Sequence, residues 1–225
     1  LEDRADAGDG AYDWCLLGQV YRDQERYGEA VAAHKKALAA NPGRADCWTG
    51  LGVTYAKQGR HTEAFAAFRE AVRVAPHGVP VSRALREAYG TQRIPPEALA
   101  AFRDYCRSSP TDAPAWRCLA VACAMPRATP EAIDAYRKVT ELTPEDPWAW
   151  RHLGDALQAC GESAGSIAAL LKAVELKPDD VEALYGLGRA HAALGNRAEL
   201  MEIYEALRRL HSALADEFFE EFVSP

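Results

Sequence analysis

The sequence lacks the features of a membrane protein, of a secreted precursor and of a nucleic-acid binder. None of its 225 residues lies in an apolar run of about 18 residues, the length a membrane-spanning helix requires. Residues 1–10 are acidic and polar, so we expect no signal peptide. Because the chain does not begin with Met, we expect it to be a piece of a longer protein, whose upstream region could hold a targeting signal or another domain, or to carry the remnant of a tag. The formal net charge of −7 argues against phosphate-driven binding of nucleic acid, which requires a basic face.

Catalytic and metal-binding motifs are also missing. The six cysteines include no C-x-x-C pair, so neither a disulfide framework nor a metal site is predicted. We expect them to be reduced thiols packed as small apolar side chains, which favours a cytoplasmic location. The chain contains no Gly-rich phosphate loop, no H-E-x-x-H and no G-x-S-x-G. We therefore expect no catalytic residue, no metal, no cofactor and no enzymatic activity.

Tryptophan and proline, in contrast, recur with a period of 34 residues. The tryptophans on this grid are Trp14, Trp48, Trp116 and Trp150, and the prolines are Pro42, Pro76, Pro110, Pro144 and Pro178. A period of this length indicates a stacked array of similar supersecondary units. Counted from three residues before each gridded tryptophan, six units follow a flank at 1–10: 11–44, 45–78, 79–112, 113–146, 147–180 and 181–214.

Each unit has the pattern of two helices joined by a tight turn. In the second unit, Trp48, Leu51, Gly52 and Tyr55 have the i, i+3, i+4, i+7 spacing of one helix face. A second helix follows Gly59, and the proline at the end of the unit cannot continue it. The third unit departs from the pattern, since Arg86 occupies the position of Gly52, and we expect an altered helix crossing there or drift that the array tolerates. After the sixth unit, the stripe Leu214, Phe218 and Phe222 predicts a capping helix at 215–225; the alternative is a docking face.

The order of Trp, Leu-Gly, Tyr, Ala, Phe and Pro at these offsets resembles the tetratricopeptide repeat over residues 11–214. The resemblance implies an all-α fold, a right-handed superhelical α-solenoid of paired antiparallel helices whose first helices line a concave groove. The leading hypothesis is a non-catalytic scaffold that binds a peptide segment of a partner protein in this groove. One alternative is a regulatory or substrate-presenting repeat domain of a larger enzyme, such as a glycosyl- or sulfotransferase. Another is self-association of one array with the end of a second.

The resemblance also implies which residues face the groove, namely the second, fifth, ninth and twelfth of each unit. Arg83, Arg117 and Arg151 all occupy the fifth position in successive units. A row of guanidinium groups suits carboxylates, so we hypothesise that the groove binds an acidic or C-terminal segment. The alternative is that neighbours such as Glu87 and Asp155 neutralise these arginines.

A second candidate patch combines residue types that dominate binding hot spots. It contains Trp148, Arg151, His152, Asp155 and Tyr185, with Arg189 at the next groove position of the sixth unit. The alternative is that Trp148 packs on the preceding helix pair. The carboxylate clamp of chaperone-binding members of the family does not match, because its positions read Cys15, Gln19, Gly50, Pro80 and Ala84 here. A heat-shock chaperone is therefore a disfavoured partner.

Overall fold

The protein is built of helices throughout the part of the chain that the structure describes. The computed structural model describes residues 10–76, 81–90, 94–125 and 127–223, and within these ranges it contains thirteen α-helices and no strand. The helices are α1 (Gly10–Asp23), α2 (Tyr27–Ala40), α3 (Ala45–Lys57), α4 (His61–Val74), α5 (Val81–Tyr89), α6 (Pro96–Ser108), α7 (Ala113–Cys123), α8 (Pro130–Leu142), α9 (Pro147–Ala159), α10 (Ser163–Leu176), α11 (Val181–Ala193), α12 (Arg197–Leu210) and α13 (Ser212–Phe218). A π-helical turn, Phe219–Val223, follows α13. In the described ranges, no helix combines the length and apolarity needed to cross a bilayer.

Helices α1 to α12 fall two to each predicted unit. Within the first, second and fifth repeats the two helices pack directly on each other, as α1 on α2, α3 on α4 and α9 on α10. Only a few residues connect the members of each pair, so the two helices run antiparallel. The observed fold is therefore the all-α repeat architecture that the 34-residue period predicts.

The turns inside the first, second, fifth and sixth repeats each place one residue in the left-handed region. Gly59, Gly161 and Gly195 take this position with φ of +73°, +84° and +71°. In the first unit the equivalent residue is Glu25, which adopts φ of +60° without the freedom of glycine. The repeat thus sets the turn geometry, and Glu25 adopts it although it is not a glycine.

A glycine on the first helix of a repeat lets a large side chain of the second helix approach its backbone. We call the position of this glycine the glycine notch. A Cβ added to Gly52 would lie 2.6 Å from the Phe68 ring, and one added to Gly18 would lie 2.6 Å from the His34 ring. His34 is fully buried, with neither ring nitrogen hydrogen-bonded to any described residue. This fits the sequence, in which His34 stands where the pattern has an aromatic residue.

The tryptophans and prolines of the grid are joined by hydrogen bonds. The indole Nε1 of Trp48 donates to the carbonyl oxygen of Pro42 at 2.8 Å. The same bond recurs from Trp116 to Pro110 at 3.0 Å and from Trp150 to Pro144 at 2.8 Å. Each bond ties the first helix of a unit to the turn that precedes it, which gives the shared period of the two residue types a physical basis.

The chain divides into two compact bodies, residues 1–126 and 127–225. These two bodies are the first unit and the second unit, and each 34-residue element is a repeat. The division falls between α7 and α8, inside the fourth predicted repeat. The first unit contains α1 to α7, and the second contains α8 to α13 with the π-helical turn.

The third repeat of the first unit packs differently from its neighbours. Helix α5 packs on α3 and α7, whereas α6 packs on α4 and α7, and the described parts of α5 and α6 make little contact with each other. Arg86 at the glycine position is exposed, and its Nε donates to the Ser82 carbonyl at 3.3 Å. Phe102, at the position whose side chain packs on the glycine in other repeats, instead packs on Phe65 of α4, with the two rings tilted by 34° and their centroids 4.3 Å apart. The expected disturbance at Arg86 thus takes the form of changed packing partners.

The second unit ends in a capping segment, α13 with the π-helical turn (212–223), which covers its core. Phe218 of α13 is fully buried among Leu184, Leu187 and Leu207. Its ring lies against Gly188, where it would collide with any added Cβ. The apolar stripe that includes Phe218 therefore packs on the end of its own array.

Candidate partner-binding surfaces

Equivalent groove positions on neighbouring first helices lie side by side in the second unit. Asp155 of α9 and Arg189 of α11 both occupy the ninth position of their repeats, and Arg189 Nη2 lies 3.1 Å from Asp155 Oδ1. Burial raises the pKa of Asp155 above its ordinary value, and the charges of Arg189 and Arg151 partly oppose this. These contacts place α9 and α11 on one surface, lined by the residues that the repeat pattern assigns to the groove.

Arg151 is held on this surface by carboxylates of the next repeat. Its Nη1 lies 2.6 Å from Glu182 and its Nε 3.7 Å from Asp180, which caps α11 by accepting a hydrogen bond from Ala183 N. Only 15% of the Arg151 side chain is exposed, whereas Glu182 is 74% exposed. The guanidinium is therefore neutralised, as in the alternative considered for the arginine row, although by Asp180 and Glu182.

Trp148 and His152 belong to an aromatic cluster with Tyr136 of α8. The Trp148 and His152 rings have centroids 4.1 Å apart, and the His152 ring stacks on Tyr136 at 5.9 Å. Trp148 also lies 6.1 Å from Tyr136, so it packs on the preceding helix, as the alternative for this residue expects. Both side chains remain half-buried, so part of the cluster stays accessible.

Tyr185 is engaged by the capping segment. Its hydroxyl donates to the Glu221 carboxylate, and its ring packs edge-on against Phe218 and Phe222. The bond to Glu221, together with burial, raises the pKa of Tyr185 to about 12. The predicted patch of the second unit is thus brought together around α9 and α11, but Tyr185 lies at its covered edge.

The three arginines of the predicted row occupy different environments. Arg83 on α5 is exposed, while Arg117 on α7 is 6% exposed. Arg117 is buried because α7 packs on α4, α5 and α6 at once. Arg117 therefore offers little surface to a ligand, and Arg83 and Arg151 remain the more accessible members.

Glu87, the remaining predicted groove residue of the first unit, is already paired. Its Oε1 lies 2.7 Å from Nη2 of Arg22 on α1. Helix α3 packs on both α1 and α5, so this ion pair joins the two helices that flank α3. Val53 and Ala56, at groove positions of α3, are 0% and 7% exposed. The groove face of α3 is therefore largely covered at this point.

A cavity of about 630 Å³ opens between α2, α3 and α4. Its apolar lining includes Leu38, Leu51 and Tyr55, and charged side chains including Lys35 and Glu63 surround it. The search for groove residues missed this cavity because its lining comes largely from second helices.

Sequence reasoning also missed a side-chain cluster between the first helices of the first two repeats. The ligand atoms of Cys15, Asp46 and Cys47 all lie within 4.8 Å of one another. A search for cysteines close in sequence cannot find this cluster. The 34-residue period could have indicated it, because Cys15 and Asp46 occupy groove positions of successive repeats.

Comparison with known proteins gives one consistent family. Models of the tetratricopeptide repeat match residues 15–79, 129–161 with 154–195, and 182–223. No curated protein sequence matches the chain significantly. Among solved structures, the Cut9–Hcn1 hetero-tetramer of the APC/C is similar with a TM-score of 0.51 and 18% identity, over 99% of this chain and 45% of that chain. The C-terminal part of a TPR repeat-containing protein from Cytophaga hutchinsonii gives a TM-score of 0.51 and 16% identity, over 88% and 80% of the two chains.

Proposed function

Because the chain belongs to the tetratricopeptide repeat family, we propose that it is a non-catalytic scaffold that binds a segment of a partner protein. The segment lies along the surface that carries Arg151 and Asp155 of α9 and Arg189 of α11, which we call the inner face. The observation that carries this proposal is the contact between Asp155 and Arg189, two groove positions 34 residues apart that meet at 3.1 Å. Such a contact indicates that the first helices align their groove positions into one surface, which an extended segment can follow.

The charges on this face favour a segment that contains a carboxylate. Arg151 already contacts Glu182, whose side chain is 74% exposed. A ligand carboxylate that replaces Glu182 would keep Nη1 of Arg151 paired. The half-buried rings of Trp148 and His152 lie on the same helix and offer an apolar contact beside the charge. The proposed ligand is therefore an acidic residue next to an apolar one.

The test is a peptide selection against the full chain, followed by measurement of dissociation constants for the selected sequences. Exchanging the charges of one pair, Asp155→Arg with Arg189→Asp, keeps an ion pair in place while it inverts the surface. We expect this double variant to weaken binding on the order of tenfold or more. The matched control exchanges a pair on the outside of α8, Asp134→Arg with Arg137→Asp, and should leave affinity unchanged.

Equal affinity of wild type and both double variants would contradict the inner face as the binding site. A further variant then locates the segment at the cavity of the first unit. Ala39 lines this cavity from an exposed position, so Ala39→Trp would obstruct it, whereas the neighbouring exposed Ala40→Trp would not. Loss of binding in Ala39→Trp alone would place the segment there and contradict the α9–α11 site.

A further inference from the structure

Two cysteines and a carboxylate meet where the first helices of the first two repeats pack together. Cys15 lies on α1, and Asp46 and Cys47 lie in the first turn of α3. Their sulfur and oxygen atoms lie within 4.8 Å of one another. Cys15 and Cys47 are 1% and 0% exposed, while the Asp46 side chain is 50% exposed. The cluster is thus closed on the cysteine side and open to solvent on the aspartate side.

The spacing of these atoms suits one small cation. Zinc binds thiolate sulfur at about 2.3 Å and carboxylate oxygen at about 2.0–2.2 Å, so in a tetrahedral site its ligand atoms are about 3.5–3.8 Å apart. The three side chains, whose ligand atoms lie within 4.8 Å of one another, reach this range by shifts on the order of 1 Å. Two sulfur ligands and one oxygen ligand are typical of sites that prefer thiophilic divalent ions over Mg²⁺ or Ca²⁺. A fourth position faces solvent and can hold water.

Arg44 orients the carboxylate and balances the charge. Its Nη2 lies 2.5 Å from Asp46 Oδ2 and its Nε 3.1 Å from Oδ1, and its guanidinium lies 5.1 Å from the Tyr12 ring centre. Asp46 Oδ1 also accepts a hydrogen bond from Cys47 N at 3.0 Å. Two thiolates and one carboxylate carry a charge of −3, which a divalent ion and Arg44 together neutralise. Partners that orient a ligand in this way are typical of metal sites.

The two cysteines of the cluster are buried together, with their sulfur atoms within 4.8 Å of each other. Both cysteines are free thiols in the structure. A cation that enters the cluster displaces the thiol protons, because only thiolates are metal ligands.

We propose that Cys15, Cys47 and Asp46 form a binding site for one thiophilic divalent cation such as Zn²⁺. The ion would join α1 to α3 and fix the first two repeats relative to each other at their groove positions. This site is independent of the peptide surface proposed on α9 and α11. Its occupancy would stabilise the folded chain, since the unfolded chain does not hold the three ligands together.

The test uses the full chain, kept reduced with a non-thiol reductant and freed of metal with a chelator that is then removed. Co²⁺ serves as the spectroscopic probe, and Zn²⁺ competes with it. We expect one equivalent of Co²⁺ to produce a thiolate-to-cobalt charge-transfer band, one equivalent of Zn²⁺ to abolish this band, and Zn²⁺ but not Mg²⁺ to raise the unfolding temperature. Cys15→Ser and Cys47→Ser should each lose the band and at least about tenfold in affinity.

The matched control is Cys160→Ser, which removes the exposed cysteine of the second unit and should retain both the band and the affinity. Asp46→Asn changes an exposed side chain and should lower the affinity for the ion on the order of tenfold. This variant keeps the test decisive if a serine variant fails to fold. Absence of the band from the reduced wild type would overturn the proposal. So would a band that survives in folded Cys15→Ser and Cys47→Ser, or an affinity that Asp46→Asn leaves unchanged.

Discussion

Arg22 and Glu87 form a 2.7 Å ion pair between the first and third repeats, although a whole repeat separates them in sequence. Their helices, α1 and α5, both pack on α3. The Arg22 side chain is 14% exposed and that of Glu87 45%, so the pair is better shielded from solvent than the Arg107–Asp104 pair, whose side chains are 74% and 73% exposed.

Removal of this ion pair should destabilise the first unit measurably. For Glu87→Gln we expect the free energy of unfolding to fall by about 1 kcal/mol, the upper end for ion pairs that reach the surface. Urea unfolding at low and high salt measures this, and the difference should shrink as salt screens the pair. The control is Asp104→Asn, which breaks the far more exposed Asp104–Arg107 pair. Equal effects of the two substitutions would contradict the special position of Glu87.

His34 should make stability depend on pH below neutrality. Burial, aided by the charge of Arg22, lowers the pKa of His34 from 6.5 to about 4. Between these values the unfolded chain binds a proton that the folded chain does not, so stability is complete above pH 6.5 and falls as the pH drops towards 4. The loss amounts to about 1.4 kcal/mol per pH unit, or about 3 kcal/mol in total.

The variant His34→Leu isolates this effect. Leu170 occupies the equivalent position of the fifth repeat, against Gly154 and Gly186, as His34 lies against Gly18 and Gly50. Leucine should therefore fit, and it removes two ring nitrogens that lack partners among the described residues. The unfolding free energy of the variant, measured with a chelator present, should decrease less than that of wild type from pH 6.5 to 4. Parallel curves for the two proteins would show that His34 does not titrate in this way.

The glycine notch should respond differently from a glycine in open space. A Cβ at Gly52 would lie 2.6 Å from Phe68, so Gly52→Ala should cost about 1–3 kcal/mol through overpacking. Gly28 near the start of α2 has nothing within 4 Å of its added Cβ, so Gly28→Ala should stabilise the chain by about 0.4–1 kcal/mol. Denaturant midpoints of the two variants decide the matter. A shift in the same direction for both would contradict the notch.

The capping segment should act mainly through Phe218. This side chain is fully buried, and Phe218→Ala should cost about 3–5 kcal/mol in the second unit. We also expect increased binding of a hydrophobic dye, because Leu187 and Leu207 lose their cover. Leu210→Ala is the comparison, since Leu210 is 44% exposed and its loss should change stability by no more than about 0.5 kcal/mol. A Phe218 variant as stable as the Leu210 variant would exclude a capping role.

The repeat architecture could be predicted from the sequence because its determinants are local and recur. Trp48 and Pro42 lie six residues apart and bond directly, so their period reports the contact itself. The same holds for Asp112, Asp146 and Asp180, whose side chains accept hydrogen bonds from the first turns of α7, α9 and α11. At these three helix starts, the aspartate that the period places before the helix caps it.

Packing between distant helices could not be predicted in the same way. Arg86 indicates that the third repeat lacks a glycine notch, but not that Phe102 turns to Phe65 instead. The burial of Arg117 follows from three helices that meet around α7, which its position in a repeat does not reveal. The partners of Arg151 and Glu87 likewise come from neighbouring helices, so the electrostatic character of the candidate surface emerges only in three dimensions.

The contact of Phe218 with Gly188 bears on how this chain can change its length in evolution. In the sixth repeat the notch is filled by Phe218, while Tyr204, the second-helix residue at the notch-filling position, packs on Phe219. Duplication of an internal 34-residue block lengthens the array and leaves this ending intact. A repeat inserted after Leu210 would first have to displace Phe218 from its contact with Gly188. Growth by internal duplication is therefore the route with the lower structural barrier, because it leaves Phe218 in place against Gly188.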